Sequence, residues 1–396
     1  MMPQPASRNL TCLSVPPGAE GVARVYAALR EALGNGPAVA VLPLDDRSTH
    51  VRRQWAATAP DTPLEPGDTA VVVTTSGSSG DPVGVLLGST QIKAAAAAAH
   101  SRLAAGPGRW VVAVPVTAVG GLMVLARALD AGLDPVAWPG VGGAHPFTPE
   151  SFLRTAAEAL ALCAADGTPA YVALVPTQVA RLAESPQALD ALAGFSQVVV
   201  GAASLPASLR VVVERAGVRV VSAYGASETC GGVVYDGLPL PYVSVSLSPE
   251  GLIRVGGDTI ALGYRVQPAL TAQTFVDGRF LTADLGVLDA GALRVLGRAD
   301  DLIKVGGQKV SLAAIADTVR AVHGVTDVAT LAIDDDEWGQ RPVIAFVGEA
   351  SESTILTAVA DSLGPTRSTV RRVAELPYLP NGKIDRRTLA STMEEH

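Results

Sequence analysis

The sequence has few cysteines and little charge, and each shortage excludes a class of protein. Its three cysteines, Cys12, Cys163 and Cys230, are widely separated, so they predict neither a disulfide framework nor a zinc site and favour a reducing compartment. The five histidines show no metal-ligand spacing. Charged residues make up 17% and the net charge is −8, which argues against a surface for nucleic acid or anionic membranes.

No segment has the features of a signal peptide or of a membrane span. The opening residues MMPQPASRNLTCLSV lack an apolar core. The apolar stretch between Arg109 and Arg127 is interrupted by Pro115 and the pair Gly120–Gly121, which favours a buried strand, turn and helix. We therefore expect a soluble, cytoplasmic protein that binds neither nucleic acid nor membrane, and the sequence leaves monomer and homodimer both open.

Hydrophobic residues make up 48% of the chain, enough for a large core. Valine-rich runs predict strands buried on both faces at 37–44, 69–75, 109–116, 170–177, 196–203 and 219–225. Alanine- and leucine-rich patterns predict helices at 20–33, 89–105, 120–132, 149–165, 177–193 and 206–216. This alternation predicts α/β architecture, with parallel sheets covered by helices and ligands at the carboxyl ends of the strands.

The pattern changes after residue 235. Alternating apolar and polar residues with turn signals predict antiparallel hairpins in a small β-region. From about residue 300 an α+β segment follows, with a helix near 311–322 and strands near 326–333 and 342–347. The fold class is therefore α/β plus α+β.

The stretch VVVTTSGSSGDP, residues 71–82, leads from a strand into hydroxyls and glycines. It is either a plain connector, because Ser and Gly are common in turns, or a phosphate cradle built from N–H groups and hydroxyls. A Walker A loop is excluded because the chain has no GxxxxGK[ST] sequence.

Two later stretches each contain a carboxylate near a strand end. SAYGASETCGG (222–232) is either a helix start capped by Ser227 or a site that uses Glu228. TADLG (282–286) holds Asp284 between apolar residues, where a carboxylate needs hydrogen-bond donors that a sugar diol can supply.

Two further stretches are ambiguous when taken alone. GRADDLIKVGGQKV (297–310) is a turn of mixed charge with a glycine pair. LPNGKIDRRTL (379–389) presents Lys383 on a tight turn, where a lysine ordinarily serves solubility.

In this order the five stretches resemble the adenylate-forming superfamily of acyl-CoA synthetases, peptide-synthetase adenylation domains and luciferases. Those enzymes carry the motifs TSG[ST][ST]GxPKG, YGx[ST]E, TGDLG, GRxDD and Px[NT]GK. The resemblance covers roughly residues 65–390. The early first motif and the strings AAAAAHSRL, GPGRWVVAVP, LVPTQVARL and SETCGGVVYDGLPL look like the compact o-succinylbenzoate–CoA ligases of menaquinone biosynthesis.

The resemblance implies a two-step ligation of a small-molecule acid. The acid carboxylate attacks ATP to give an acyl-adenylate and pyrophosphate, and the thiol of coenzyme A then expels AMP. ATP, Mg²⁺ and coenzyme A are thus the implied cofactors and cosubstrates.

The resemblance also assigns roles to residues. Lys383 and Glu228 are catalytic, with Glu228 holding Mg²⁺, and Asp284 and Arg298 bind the ribose. The other nucleotide-binding positions are Thr74, Thr75, Ser76, Gly77, Ser78, Ser79, Gly80, Gly201, Ala202, Tyr224, Gly225 and Ser227. The acid-binding positions are His100, Thr177, Ser222 and Gly232.

The domain organisation follows from the same resemblance. Residues 1–297 form a large adenylation domain of helix-covered sheets with the small β-region, and residues 301–396 form a small, mobile α+β domain. The hinge is 298–300, with Asp300 as the residue about which the small domain rotates. Gly306 and Gly307 line the pantetheine tunnel after rotation.

Two positions depart from the family pattern. The lysine of the first loop is replaced by Val83, which we expect in a solvent-facing loop, and a histidine frequent in compact members is replaced by Ala118. The first change removes a cation expected to meet pyrophosphate, and the second alters the wall of the acid pocket. A ligase for a different acid and a non-catalytic nucleotide binder therefore stay open as alternatives.

Overall fold

The computed structural model describes residues 8–44, 48–65, 67–75, 81–103, 105–377 and 384–394. Its helices are α1 (Ala19–Leu33), α2 (Thr49–Thr58), α3 (Ser89–Arg102), α4 (Val119–Ala131), α5 (Pro149–Asp166), α6 (Pro176–Ala183), α7 (Pro186–Ala193), α8 (Ala207–Arg215), α9 (Pro268–Thr274), α10 (Leu312–Arg320), α11 (Glu352–Leu363) and α12 (Arg386–Glu394).

The strands follow the same chain order. They are β1 (Leu10–Val15), β2 (Ala38–Pro43), β3 (Thr69–Thr75), β4 (Val83–Gly88), β5 (Arg109–Val112), β6 (Val136–Ala137), β7 (Ala170–Leu174), β8 (Gln197–Val200), β9 (Val220–Ala226), β10 (Gly231–Tyr235), β11 (Leu238–Pro239), β12 (Val243–Leu247), β13 (Leu252–Gly257), β14 (Gly263–Tyr264), β15 (Phe275–Val276), β16 (Arg279–Asp289), β17 (Ala292–Arg298), β18 (Leu302–Val305), β19 (Gln308–Ser311), β20 (Val325–Asp335), β21 (Gly339–Gly348) and β22 (Thr369–Arg372).

Two sheets carry the first part of the chain. One has the order β1-β2-β3-β4-β14, parallel from β1 to β3 and antiparallel at β3–β4 and β4–β14. The other has the order β11-β10-β9-β8-β7-β5-β6, parallel from β9 through β6 and antiparallel at β9–β10. Their central strands are buried on both faces, which explains the continuous valine runs.

Two smaller sheets follow. One has the order β12-β13-β16-β15 with β17 paired to β16, and the other has the order β19-β18-β21-β20 with β22 paired to β21. Ile315 on α10 and Ile355 on α11 pack with Ile344 and Phe346 of β21. Leu389 on α12 packs with Val343, on the alternate residues of the same strand, so helices cover both faces of this sheet.

The chain divides into two compact units. The first contains Met1–Ser246, Arg254–Leu281 and Asp289–Leu293, and the second contains Leu247–Ile253, Thr282–Leu288 and Arg294–His396. The predicted domain boundary and the hinge at 298–300 stay predictions. Within the part of the chain that the structure describes, no helix is both long and apolar enough to span a bilayer.

The predicted fold class is confirmed, and the differences from the prediction are local. The helix expected at 177–193 is two helices, because Ser185 and Pro186 start a new one with its own cap. The strand β1, the helix α2 and the strand β4 were not predicted. The expectation that Val83 lies in a solvent-facing loop is wrong, because Val83 begins β4 opposite Thr75 and packs half-buried against the main core.

Candidate active site

Six of the predicted site residues of the first unit lie on the hairpin of β9 and β10, namely Ser222, Tyr224, Gly225, Ser227, Glu228 and Gly232. Its connection, Ser227–Thr229, is one turn of 3₁₀ helix. The hydroxyl of Thr229 accepts a hydrogen bond from the Ala226 N–H at 2.8 Å and lies 2.8 Å from the Gly231 carbonyl, and both contacts stabilise the turn. An added Cβ at Gly225 would lie 1.9 Å from the Gly231 carbonyl oxygen, and only glycine fits there.

This turn presents Glu228 to a buried tyrosine. The hydroxyl of Tyr264 donates to Glu228 Oε1 at 2.8 Å, and the Ala261 N–H donates to the Glu228 carbonyl at 2.8 Å. Burial raises the pKa of Tyr264, and the neighbouring negative charge of Glu228 raises it further. Tyr264 therefore stays a hydrogen-bond donor at neutral pH, and sequence reasoning did not identify it.

The residue after Tyr264 anchors this part of the chain. Arg265 is fully buried, and its guanidinium donates to the Thr58 carbonyl at 3.0 Å, to the Pro63 carbonyl at 2.9 Å and to the Glu65 carboxylate at 2.8 Å. A buried cation is stable only when its donors are satisfied in this way. The end of β14, and with it Tyr264, is thus fixed to the 58–65 segment.

Glu228 is also the residue that the resemblance assigns to Mg²⁺. Within the described ranges no group of three or more His, Cys, Asp or Glu side chains could hold a metal by itself. A single carboxylate still fits Mg²⁺, because this ion usually takes one or two protein carboxylates and completes its shell with phosphate oxygens and water.

The first predicted phosphate contact lies at the end of β3. Thr74 is 8% exposed, and its hydroxyl has no hydrogen-bond partner among the described residues. Ser76, Gly77, Ser78, Ser79 and Gly80 lie outside the described residues.

The positions predicted to flank adenine lie at the carboxyl ends of two adjacent strands. β8 and β9 are parallel with Val200 opposite Ser222, so Gly201 and Ala202 follow β8 beside the strand that carries Tyr224. Ala202 adopts a left-handed backbone with φ of 70°. An added Cβ at Gly201 would come no closer than 3.6 Å to the Ala223 carbonyl, so this structure by itself does not demand glycine.

A contact that no motif indicates joins this hairpin to α8. Arg210 forms a bidentate pair with Asp236, with donor–acceptor distances of 2.6 and 3.2 Å. This hydrogen-bonded contact raises the pKa of the Arg210 guanidinium above its ordinary value. Arg210 therefore remains a cation across the accessible pH range.

Three of the predicted acid-binding positions lie toward the carboxyl ends of their sheet's strands. Thr177 follows β7 as the second residue of α6 and is exposed. Ser222 lies on β9. Gly232 lies on β10 and pairs with Gly225 of β9. These roles stay predictions.

His100, the fourth position, is placed elsewhere. It is 3% exposed, its Nδ1 lies 2.7 Å from Asp130 Oδ2, and the indole N–H of Trp110 donates to its Nε2 at 3.3 Å. Because an indole N–H only donates, the Nε2 accepts and the Nδ1 carries the proton. Burial lowers the pKa of His100, although Asp130 opposes the effect. Both ring nitrogens are engaged beside the first residues of β5, so the structure does not bring His100 to the strand ends that carry Thr177 and Ser222.

In the second unit, Arg298 lies between two carboxylates. Its Nε and Nη2 donate to the two Asp300 oxygens, each at 2.8 Å, and its Nη1 lies 3.8 Å from Asp284 Oδ1. The contact with Asp300 raises the pKa of Arg298. The predicted ribose residues and the predicted hinge residue thus form one charged cluster.

The glycine pair predicted to line the pantetheine tunnel has left-handed backbones, with φ of 55° at Gly306 and 83° at Gly307. An added Cβ at Gly306 would lie 2.4 Å from the Trp338 ring, whereas one at Gly307 would have no described atom within 4 Å. The Arg367 guanidinium lies 3.9 Å from the centre of that ring. Lys383 lies outside the described residues.

Residues 20–258 match the family described as AMP-binding enzyme. The chain is 35% identical to a probable 2-succinylbenzoate–CoA ligase of Mycobacterium tuberculosis, and the match covers 96% of this chain and 97% of that protein. It is 28% identical to a sulfoacetate–CoA ligase of Cupriavidus necator, over 93% of this chain and 75% of that protein. Its fold matches the structure of the O-succinylbenzoate coenzyme A synthetase of Bacillus subtilis in complex with ATP and magnesium ion, with a TM-score of 0.80, 20% identity, and coverage of 97% of this chain and 90% of that one.

Proposed function

Because this chain belongs to the AMP-binding enzyme family, we propose that it is an AMP-forming acid–CoA ligase whose acid is 2-succinylbenzoate, acting in menaquinone biosynthesis in the cytoplasm. The observation that carries the proposal is the match to the Mycobacterium tuberculosis protein, which runs over nearly the full length of both chains at 35% identity. The five motifs occur along this chain in the family's order.

The first half-reaction joins two anions, so the chain's own residues must hold them together. Thr74 and Thr75 begin the loop that receives the terminal phosphates, and Tyr224 flanks adenine beside Gly201 and Ala202. Lys383 bridges the acid carboxylate and the α-phosphate. A single ammonium between two negative reactants acts through position and charge.

Glu228 would hold Mg²⁺, and the ion would neutralise charge on the phosphates when bound with ATP. The hydrogen bond from Tyr264 orients Glu228 through one of its two oxygens. Because Tyr264 is buried and protonated, it positions the carboxylate without competing for a cation. Asp284 would accept the ribose hydroxyls, and Arg298 would contact the same sugar.

The second half-reaction transfers the acyl group from the adenylate to the thiol. In our proposal the segment beyond Asp300 rotates between the two steps, and Gly306 and Gly307 then line the path of pantetheine. The left-handed glycines support this role, because Gly307 leaves an unobstructed edge of backbone among the described residues.

A second candidate is a CoA ligase for a different acid. Similarity to a sulfoacetate–CoA ligase favours it, as does Ala118 in place of the family's frequent histidine. Both candidates share the adenylate and the thioester, and they differ only in the acid pocket.

The test is pyrophosphate release with ATP, Mg²⁺ and a panel of acids, followed by thioester detection after addition of coenzyme A. We expect 2-succinylbenzoate to give the highest kcat/KM, and benzoate, succinate and sulfoacetate serve as matched controls. A higher kcat/KM with another acid would select the second candidate. Absence of pyrophosphate release with every acid, from protein that still binds ATP, would indicate a non-catalytic nucleotide binder.

A further inference from the structure

The ion pair between α8 and the hairpin also holds the backbone of β9. Asp236 Oδ1, which receives the Arg210 guanidinium, accepts the Ser222 N–H at 3.0 Å. The Asp236 N–H donates to the Ser222 carbonyl at 2.8 Å. Both backbone polar groups of Ser222 therefore bind one residue, which extends the β9–β10 pairing one step beyond Tyr235 and Ala223.

Asp236 reaches this position through an uncommon backbone conformation. Its φ is 47°, in the left-handed region that aspartate and asparagine tolerate better than most residues. The turn after β10 therefore returns the carboxylate toward β9. We name Arg210, Asp236 and Ser222 the hairpin clamp.

The clamp lies on the face of β9 that carries Tyr224. Side chains two residues apart on a strand share a face, so Ser222 and Tyr224 point the same way. Arg210 Nη1 lies 3.5 Å from Ser222 Oγ, which makes this the face covered by α8. Gly201 and Ala202 precede this helix in the chain, in the connection that leads from β8 to α8.

The charges around Arg210 argue against a direct role in binding an anionic substrate. Its Nε donates to Glu214 at 2.8 Å, in addition to the pair with Asp236. Two carboxylates facing one guanidinium leave no surplus positive charge for a substrate anion. The clamp is therefore suited to fix geometry and not to bind a phosphate or a second carboxylate.

We propose that Arg210 and Asp236 are positioning residues for ATP, which act through Ser222 to hold the Tyr224 face of β9 in place. The proposal rests on the proposed function, because it takes Tyr224 as the residue that flanks adenine. Loosening the clamp weakens nucleotide binding more than acid binding, although Ser222 is itself a predicted acid-binding position.

The test compares ATP affinity by calorimetry with the separate KM values for ATP and acid. In Arg210→Gln we expect ATP affinity to fall about 3- to 10-fold, a size typical of residues that act through a neighbour, with a smaller change in the acid KM. Asp236→Asn keeps an acceptor for the Ser222 N–H and the left-handed backbone, so its loss is smaller. Glu214→Gln is the matched control, because Glu214 binds the same guanidinium without contacting the hairpin.

A charge reversal separates positioning from simple ion pairing. The double variant Arg210→Asp/Asp236→Arg restores an attractive pair, but arginine has no acceptor for the Ser222 N–H. We expect its thermal stability to recover only in part, because arginine tolerates the left-handed backbone of residue 236 less well than aspartate, and its ATP affinity to stay low. Recovery of ATP affinity in this variant, or unchanged affinity in Arg210→Gln, would overturn the proposal.

The remaining outcomes show whether the clamp proposal, the proposed function or both are wrong. A rise in the acid KM with constant ATP affinity would place the clamp in the acid pocket and overturn its nucleotide role. A wild-type protein that binds ATP but forms no thioester would overturn the proposed function alone, because the calorimetric comparison still reports on the clamp. A wild-type protein without ATP affinity would overturn both.

Discussion

Two carboxylates predicted to bind ATP or its metal are held in different ways. Glu228, in the first unit, receives a hydrogen bond from Tyr264, which is only 8% exposed and neutral. Asp284, in the second unit, lies 3.8 Å from Arg298, whose side chain is 37% exposed and already binds Asp300. The buried neutral donor sets Glu228 before a ligand arrives, whereas ion pairs at the surface contribute little and exchange partners readily. The first unit therefore carries a preset contact, in which Tyr264 holds Glu228 before a ligand binds. The second unit carries an exchangeable contact, in which Arg298 can leave Asp284 for another partner.

The largest effect is expected from the residue that would link the acid to ATP. Lys383→Ala should slow adenylate formation about 10²–10³-fold, the cost of losing a charge-stabilising donor. It should leave thioester formation from supplied acyl-adenylate nearly intact, because thiol attack on an uncharged carbon needs no bridging cation. Single-turnover kinetics of each half-reaction measures the split, and equal slowing of both would assign Lys383 to structure or to coenzyme A.

Asp284→Ala tests whether Asp284, the carboxylate of the exchangeable contact, binds ATP. Loss of a charged hydrogen-bond acceptor costs about 1.5–3 kcal/mol, so ATP affinity should fall by about 10- to 100-fold. Asp289→Ala is the matched control, because Asp289 is an exposed carboxylate on the same strand. Calorimetry with ATP is the measurement, and unchanged affinity would remove Asp284 from the nucleotide site.

Tyr264→Phe tests the preset contact. It deletes only the hydroxyl that donates to Glu228, so packing is retained and the carboxylate loses one partner. We expect kcat/KM for ATP at limiting Mg²⁺ to fall up to about 10-fold, as for loss of one hydrogen bond to a charged group. Excess Mg²⁺ should recover part of the loss. Identical magnesium dependence in the variant and the wild type would separate Tyr264 from the metal.

Alkaline pH should destabilise the folded protein through the raised pKa of Tyr264. The pKa of Tyr264 is raised in the folded protein, so the folded state keeps a proton that the unfolded state releases near pH 10, roughly the ordinary tyrosine value. The contribution of Tyr264 to the free energy of unfolding is therefore fully present below about pH 10, and it is lost as the pH rises toward the pKa of Tyr264 in the folded protein. Thermal unfolding between about pH 9 and 11 should show a smaller loss in Tyr264→Phe than in the wild type. Equal loss in both would show that other groups, such as Tyr171, dominate.

How much of the fold and of the site the sequence predicts depends on two factors. These are the burial of each strand and the separation, along the chain, of the residues that contact each other. The strands β3 and β8 were predicted because both faces are buried, which requires continuous valines. The edge strand β1 was missed because LTCLSV is mostly half-buried and has neither pattern clearly. The strand β4 was missed because its first residue, Val83, was aligned to a loop motif.

The candidate site was predicted where its residues are contiguous in sequence. The motif around Glu228 predicted a carboxylate just after the end of β9, but the expected helix start capped by Ser227 is one turn of 3₁₀ helix that begins at Ser227. Tyr264 lies 36 residues from Glu228, and Asp236 lies 26 residues from Arg210, so no local pattern could reveal either contact. His100 illustrates the reverse case, since a local string suggested an acid-binding residue and the fold buries it against Asp130.

The smallest effect is expected from Asp300→Asn, which removes the negative charge of the stronger partner of Arg298 and leaves Asp284 in place. If the contact is exchangeable, Arg298 is then free to bind the ribose without first leaving Asp300. Because an exposed pair is worth about 0–1 kcal/mol, ATP affinity should rise by no more than about 5-fold. Asp317→Asn is the matched control, since Asp317 pairs with Arg320 on the surface of α10. Calorimetry with ATP measures the gain, and a fall in affinity would show that the pair with Asp300 holds Arg298 ready for the nucleotide, which would make the second contact preset as well.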